Sequence, residues 1–228
     1  MATQHARSDM QFTIARENMV ESQIKPGGVR DERLCRAMAN IPREIFVSAH
    51  QRDIAYADCQ LTMTSGEKSR ELLMPHSFAF MAEQAALKPS DIVLDIAGGN
   101  GYASAVLSNL SATVIALEDD SEFSEKTEEL CHSIGIDNIV AVVGPLTDGQ
   151  AKQAPFNVIF INGFVEQIPE TLLSQLGEGG RLVCVSPHEN ARKLTIVTRS
   201  ENIFSRRYGP VLAAPTLSAF NPLPEFKF

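Results

Sequence analysis

At 228 residues, with 44% hydrophobic side chains and a formal charge of −8, the chain suits one α/β domain with an extension and argues against nucleic-acid phosphates as its partner. No uninterrupted apolar run is long enough to span a bilayer, and the polar start lacks the pattern of a secretory signal, so a cytoplasmic chain without membrane contact is expected. The four cysteines (Cys35, Cys59, Cys131 and Cys184) are dispersed without a Cys-x-x-Cys pair, which suggests neither a disulfide framework nor a metal site.

In chain order, residues 1–9 read as a frayed end. Phe12, Ile14, Met19, Val20 and Ile24 give a helical pattern over residues 12–24, ended by Pro26-Gly27-Gly28. Asp31 opens a second helix with Leu34, Ala37 and Met38 on one face; it stops at Ile41-Pro42, where the residue before proline is pushed out of the α region. Residues 42–47 and 54–58 are short irregular or helical pieces, and the polar stretch 64–70 reads as a solvated loop. Residues 74–88 form a helix carrying Phe78, Met81 and Ala85 on one face.

The run Ile92-Val93-Leu94-Asp95-Ile96 then breaks into Ala97-Gly98-Gly99-Asn100-Gly101, followed by a helix over about 101–110. A second strand, residues 113–117, delivers Glu118, and Ser121 is placed to cap a helix over 122–134, with Gly135 just past its end. Further strands are expected at 139–143 and at 158–161, the latter apolar throughout as in a sheet covered on both faces. A helix at 169–176, a turn at 177–180, a strand at 181–185 and an antiparallel pair at 193–199 and 203–208 complete the pattern; the proline-rich tail from Ala213 has no placement. Alternating strands and helices imply a Rossmann-like, doubly wound α/β fold. Its sheet is mostly parallel with an antiparallel edge strand, beside a helical N-terminal extension. Residues 1–75 are expected to form that extension, packed on residues 76–228 as one structural unit.

Chemistry is expected at the glycine-rich turn. A strand, a tight turn and a helix start bring backbone N–H groups and the positive end of the helix dipole to one place, and glycines let a ligand approach the backbone. Read from Gly99, the dinucleotide fingerprint Gly-x-Gly-x-x-Gly/Ala is met only partly, with Ser104 third. Asp95 at the strand end, with Ala97, Gly99 and Gly101 at alternate positions, resembles the first motif of S-adenosylmethionine-dependent methyltransferases. Glu118 could accept both ribose hydroxyls of such a cofactor.

Longer runs point the same way. Met19-Val20-Glu21-Ser22-Gln23-Ile24, Val29-Arg30-Asp31-Glu32-Arg33-Leu34, Ile41-Pro42-Arg43-Glu44-Ile45-Phe46-Val47 and Ala55-Tyr56-Ala57-Asp58 resemble the amino-terminal region of protein-L-isoaspartate O-methyltransferases. The likeness continues through Ala154-Pro155-Phe156-Asn157 to Gly179-Gly180-Arg181-Leu182-Val183. It implies S-adenosylmethionine held at Asp95, Ala97, Gly99, Gly101 and Glu118. The implied acceptor is the carboxylate of isoaspartyl residues in damaged proteins or peptides.

Three departures accompany the resemblance. Ala97 stands where that family usually has glycine. Glu71-Leu72-Leu73-Met74-Pro75 stands where the family has Thr-Ile-Ser-Gln-Pro, the donors that orient the acceptor carboxylate; Thr64, Ser65, Lys68, Ser69 and Arg70 lie nearby, but no spacing selects any of them, so no catalytic residue is assigned and weak or absent isoaspartyl methylation is expected. Pro145 replaces an acid that contacts adenine, and Asp148 compensates only if its loop folds back. These leave two alternatives open, a degenerate binding module and a methyltransferase with a different small-molecule acceptor. His76 and His188 have no partner at recognisable spacing.

Overall fold

The computed structural model describes the backbone of residues 2–66, 68–201 and 203–222, and the side chains of these from Met10 onward. The end of the proline-rich tail, 223–228, lies outside the described residues, as do Met1, Glu67 and Asn202. Helix α1, Ala2–Met19, begins ten residues before Phe12 and runs through the stretch that reads as frayed; no proline or glycine interrupts the chain before Pro26. It continues as a wider π turn over Val20–Ile24. Helix α2, Glu32–Asn40, is capped by Asp31, whose carboxylate accepts from the N–H groups of Arg33 at 2.8 Å and Leu34 at 3.4 Å. Removing that acceptor leaves orphan donors at the helix start. Asp31→Ala is therefore expected to lower stability by about 1 kcal/mol, read as a fall in the melting midpoint of about 2–4 °C.

The stretch 64–70 is not a loop. Strands β1, Leu61–Ser65, and β2, Lys68–Leu72, form an antiparallel hairpin running from Leu61 opposite Leu72 to Ser65 opposite Lys68. Leu61, Met63 and Ser65 point inward while Thr62 and Thr64 face solvent. That is a strand's period of two, disguised because the inward set ends in a serine, whose hydroxyl donates to Asp120 at 2.6 Å and Glu122 at 2.8 Å.

The remaining elements are α3 (Pro75–Ala85), β3 (Ile92–Ile96), α4 (Tyr102–Ser108), β4 (Thr113–Glu118), α5 (Ser121–Ser133), β5 (Ile139–Val143), β6 (Phe156–Phe164), α6 (Glu170–Ser174), β7 (Leu176–His188), β8 (Ala191–Ser200) and β9 (Ile203–Val211). Among the described residues seven strands make the main sheet, in the order β5-β4-β3-β6-β7-β8-β9. The first five are parallel, and β8 and β9 extend the edge antiparallel. The cap of α5 is Asp120 rather than Ser121: a carboxylate one residue earlier accepts from Glu122 and Phe123. The glycine-rich residues 177–180 do not form a turn outside the sheet. Strand β7 already starts at Leu176, paired with Phe156, and the register shift after that pair absorbs the left-handed Gly179.

Val93, Leu94, Ile96 and residues 158–161 are fully buried because helices or loops cover both sheet faces. On one face Val93, Val114, Phe160 and Val183 join the cluster of α1 to α4. On the other, Leu94, Ile115, Ile159 and Leu182 pack with α6 and with Leu217 and Phe220 of the tail. The tail is thus an ordered strap beside the end of β6, where the Phe164 N–H donates to the Pro215 carbonyl at 2.7 Å and the Leu217 N–H to the Phe164 carbonyl at 3.0 Å. Strand β3 lies centrally, with β4 on one side and β6 on the other. Their carboxyl ends therefore border the crevice where the chain order reverses, the usual ligand site of such sheets.

Candidate functional site

At the end of β3 the backbone passes through three left-handed residues: Ala97 (φ 60°), Gly99 (φ 65°) and Gly101 (φ 93°). Left-handed alanine costs about 1–2 kcal/mol, and it is held by the Ala97 N–H donating to the Leu117 carbonyl at 3.0 Å. A Cβ on Gly99 would stand 2.3 Å from Met63 Cε, and one on Gly101 would meet Thr127 at 2.7 Å. Hairpin and α5 therefore approach the turn as closely as glycine permits, and the Thr127 hydroxyl fixes it by donating to the Gly99 carbonyl at 3.0 Å.

Asp95, 1% exposed, accepts from the Ser104 hydroxyl at 2.5 Å and the Asn162 amide at 2.6 Å. The same amide donates to the Ile96 carbonyl at 2.9 Å, so Asp95 braces β3, α4 and β6 from within. Burial pushes its pKa up to about 6, against those two donors. Glu118, 3% exposed, accepts the Gly99 N–H at 2.5 Å on one oxygen and Arg70 Nε at 3.1 Å on the other. Arg70 reaches Asp119 as well, at 2.5 Å. Burial pushes Glu118 up to about 7, opposed by the Arg70 charge and the Gly99 N–H.

Both shifts make the ionised site a cost to the fold. A carboxyl with a raised folded-state pKa contributes stability that is complete below its ordinary value and lost as the pH rises through the folded value. The windows run from 3.8 to about 6 for Asp95 and from 4.5 to about 7 for Glu118. A ligand that donates hydrogen bonds to Glu118 would recover part of that loss.

A cavity of about 410 Å³ opens at Asp119, the residue after Glu118, and is lined also by Arg70 and Glu71 of β2, by Leu146 and by the tail. Pro145 is exposed and Leu146 buried. Asp148 does not line this cavity, because its loop is drawn toward α6: Gln175 Nε2 donates to the Asp148 carbonyl at 2.7 Å, and the Gln150 N–H donates to the Gln175 side chain at 2.8 Å. In the segment 71–74 the side chains of Leu72 and Leu73 enter the core, and Glu71 is exposed. The Leu73 carbonyl accepts from Arg43 at 2.8 Å. That fully buried guanidinium also donates to the Ala55 carbonyl at 2.8 Å and lies 4.7 Å from the centre of the Tyr102 ring, fixing the segment relative to the glycine turn.

Neither histidine is at the turn. His76 Nε2 meets the Gly27 carbonyl at 3.2 Å, and His188 stacks on Tyr208 at 3.6 Å. A larger groove of about 780 Å³ lies between α6 and the β8–β9 edge, bordered by Arg199, Arg206 and Tyr208 but by none of the turn residues. The pairing of Arg70 with Glu118 escapes sequence reasoning, since the two are 48 residues apart and Arg70 lies in a stretch whose alternation is concealed by hydroxyl side chains. Each Glu118 oxygen uses one hydrogen-bond position here and keeps another. The acid, with these free acceptor positions, and the cavity that begins at the next residue, Asp119, therefore fit an adenosyl ligand.

Comparison with known proteins gives a consistent picture. The family described as Protein-L-isoaspartate(D-aspartate) O-methyltransferase (PCMT) matches residues 14–213. A Methanoculleus marisnigri protein-L-isoaspartate O-methyltransferase is 34% identical over 206 residues, 90% of this chain and 92% of that one. Among solved structures, a protein-L-isoaspartate O-methyltransferase superposes with a TM-score of 0.79 at 26% identity, covering 89% of this chain and 66%, just under two thirds, of that one. A Plasmodium falciparum chain in complex with S-adenosyl-L-homocysteine gives a TM-score of 0.76 at 19% identity, covering 90% of this chain and 98% of that one, a likeness of fold.

Proposed function

The chain belongs to the protein-L-isoaspartate(D-aspartate) O-methyltransferase family, and from that premise we propose that it transfers a methyl group from S-adenosylmethionine to the carboxylate of isoaspartyl residues in proteins or peptides. The observation that carries this reading is the convergence of the Gly99 N–H and the Glu118 carboxylate at the carboxyl ends of β3 and β4, beside a cavity.

S-adenosylmethionine, when bound, supplies a methyl group on a positive sulfur that is already an excellent leaving group. The chain's residues then have little acid–base work to do. Glu118 would accept the ribose hydroxyls, Gly99 and Gly101 let the hairpin and α5 close on the turn, and Asp95 and Ala97 hold its left-handed path. An isoaspartyl carboxylate is deprotonated at neutral pH, so the site needs to orient it rather than activate it. Among the described residues no helix is long and apolar enough to cross a membrane; the proposed enzyme is placed in the cytoplasm, acting on soluble partners.

The test is calorimetric titration with S-adenosylmethionine, followed by transfer of labelled methyl groups to an isoaspartyl peptide and to its normal aspartyl counterpart. Cofactor binding with transfer to the isoaspartyl peptide alone is expected. Absence of cofactor binding would overturn the reading.

A further inference from the structure

The two groups that the fold offers to a cofactor, the backbone of the glycine turn and the Glu118 carboxylate, both lie under the hairpin. Met63 and Arg70 stand opposite each other across its strands. A Cβ on Gly99 would come within 2.3 Å of Met63 Cε and 3.4 Å of Arg70 Cβ, and the Asn100 N–H is turned to Met63 Sδ at 3.5 Å. Arg70 lines the cavity and bonds to Glu118, which does not line it and is 3% exposed. We propose that this hairpin is a latched plug: seated as it is, it keeps the cofactor's ribose from Glu118, and binding requires it to lift about its base. The inference deepens the methyl-transfer reading above and rests on it.

Base and latch are held by different forces. At the base Leu61 pairs with Leu72, both buried in the main apolar cluster, and the Arg43 guanidinium holds the next carbonyl, that of Leu73, at 2.8 Å. Farther along the strands the hold is polar, and it falls on one acidic run, residues 118–122. The Ser65 hydroxyl is shared between Asp120 and Glu122. Lys68 Nζ donates to the Asp119 carbonyl at 2.7 Å and lies 3.6 and 3.9 Å from the Asp119 and Asp120 carboxylates. Arg70 bridges Glu118 and Asp119.

Ion pairs between partly exposed side chains contribute little each and weaken with salt, whereas burial of the two leucines does not depend on charge. The latch can therefore open while the strands stay paired, and Met63 leaves the glycine turn together with its cross-strand partner Arg70. Lifting costs affinity, because Glu118 exchanges a charge-assisted bond from Arg70 for bonds from neutral ribose hydroxyls. The apparent dissociation constant is raised by the factor by which the seated state outnumbers the lifted one.

Lys68→Met and Ser65→Ala loosen the latch at residues that bond neither to the glycine turn nor to Glu118. Lys68 is exposed, so its replacement should leave the fold unaffected; Ser65 is buried, and its variant is checked by melting midpoint, Lys68→Met deciding alone should Ser65→Ala not fold. The probe is S-adenosylhomocysteine, which carries no net charge at neutral pH, so that salt does not act by steering it. Its association and dissociation are followed by surface plasmon resonance at low and high salt. In each variant association rate and affinity are expected to rise about three- to tenfold, with the dissociation rate unaltered and Lys68→Arg, which keeps the charge, like the unmodified chain. High salt should speed association in the unmodified chain and do so less in Lys68→Met. Association unaltered in the variants, or weaker binding by them, would overturn the plug while leaving the methyl-transfer reading standing. A chain that binds neither S-adenosylhomocysteine nor S-adenosylmethionine would remove the underlying reading and this one together.

Discussion

Glu118→Ala is expected to weaken S-adenosylmethionine binding by about 1.5–3 kcal/mol, the range for hydrogen bonds to a charged group. The carboxylate is buried, held by the Gly99 N–H on one oxygen and by Arg70 on the other. The same substitution should change how affinity depends on pH. With its pKa near 7 in the free chain, Glu118 is about nine-tenths protonated at pH 6. Ribose hydroxyls favour the ionised form, so affinity is expected to rise by up to about tenfold from pH 6 to pH 8. The amino group of the cofactor titrates in the same region, so the informative quantity is the difference between the unmodified chain and Glu118→Ala, measured calorimetrically across pH 6–8. The variant should lose the part of the slope that belongs to Glu118. Equal affinity in both proteins, or an identical slope, would show that the ribose lies elsewhere.

How much of this could be read from residues alone depended on whether a side chain's role was set by its neighbours in sequence or in space. β3 and its turn are legible because an apolar run is cut by glycines, and Ile139–Val143 emerges with the same bounds because its β-branched run stands between Asp137-Asn138 and Gly144-Pro145. Asp31 announces α2 for a similar reason, a capping acid standing just ahead of a periodic apolar face. The hairpin is hidden because Ser65 occupies an inward position that the pattern reserves for apolar residues, and its reward is a pair of carboxylates 55 and 57 residues away. Arg70 and the strap are hidden more deeply. Nothing local marks Arg70 as the partner of Glu118, and Leu217 and Phe220 read as two apolar residues in a proline-rich tail until β6 ends beside them. The absence of hydroxyls at 71–74, by contrast, is plain in the sequence itself.

Restoring the hydroxyl-bearing segment by Glu71→Thr, Leu73→Ser and Met74→Gln should therefore act through two opposed effects. If no other group oriented the acceptor, the loss of two charge-assisted bonds at about 1.5–3 kcal/mol each would slow transfer by about two to four powers of ten, and restoration would recover it. Leu73, however, is only 2% exposed and packs in the main apolar cluster. Leu73→Ser removes a buried branched side chain and places a hydroxyl there, an expected loss of about 3 kcal/mol, or about 6–12 °C in melting midpoint. Glu71→Thr sits on the exposed rim and should change stability by less than about 0.5 kcal/mol, while removing a like charge from the path of a carboxylate. We expect urea unfolding to show Leu73→Ser carrying nearly all the destabilisation of the triple variant. The methyl-transfer assay should show Glu71→Thr carrying whatever gain in acceptor affinity there is. A Leu73→Ser chain of unaltered stability and much faster transfer would mean that segment 71–74 turns its side chains toward the acceptor in solution and orients the carboxylate.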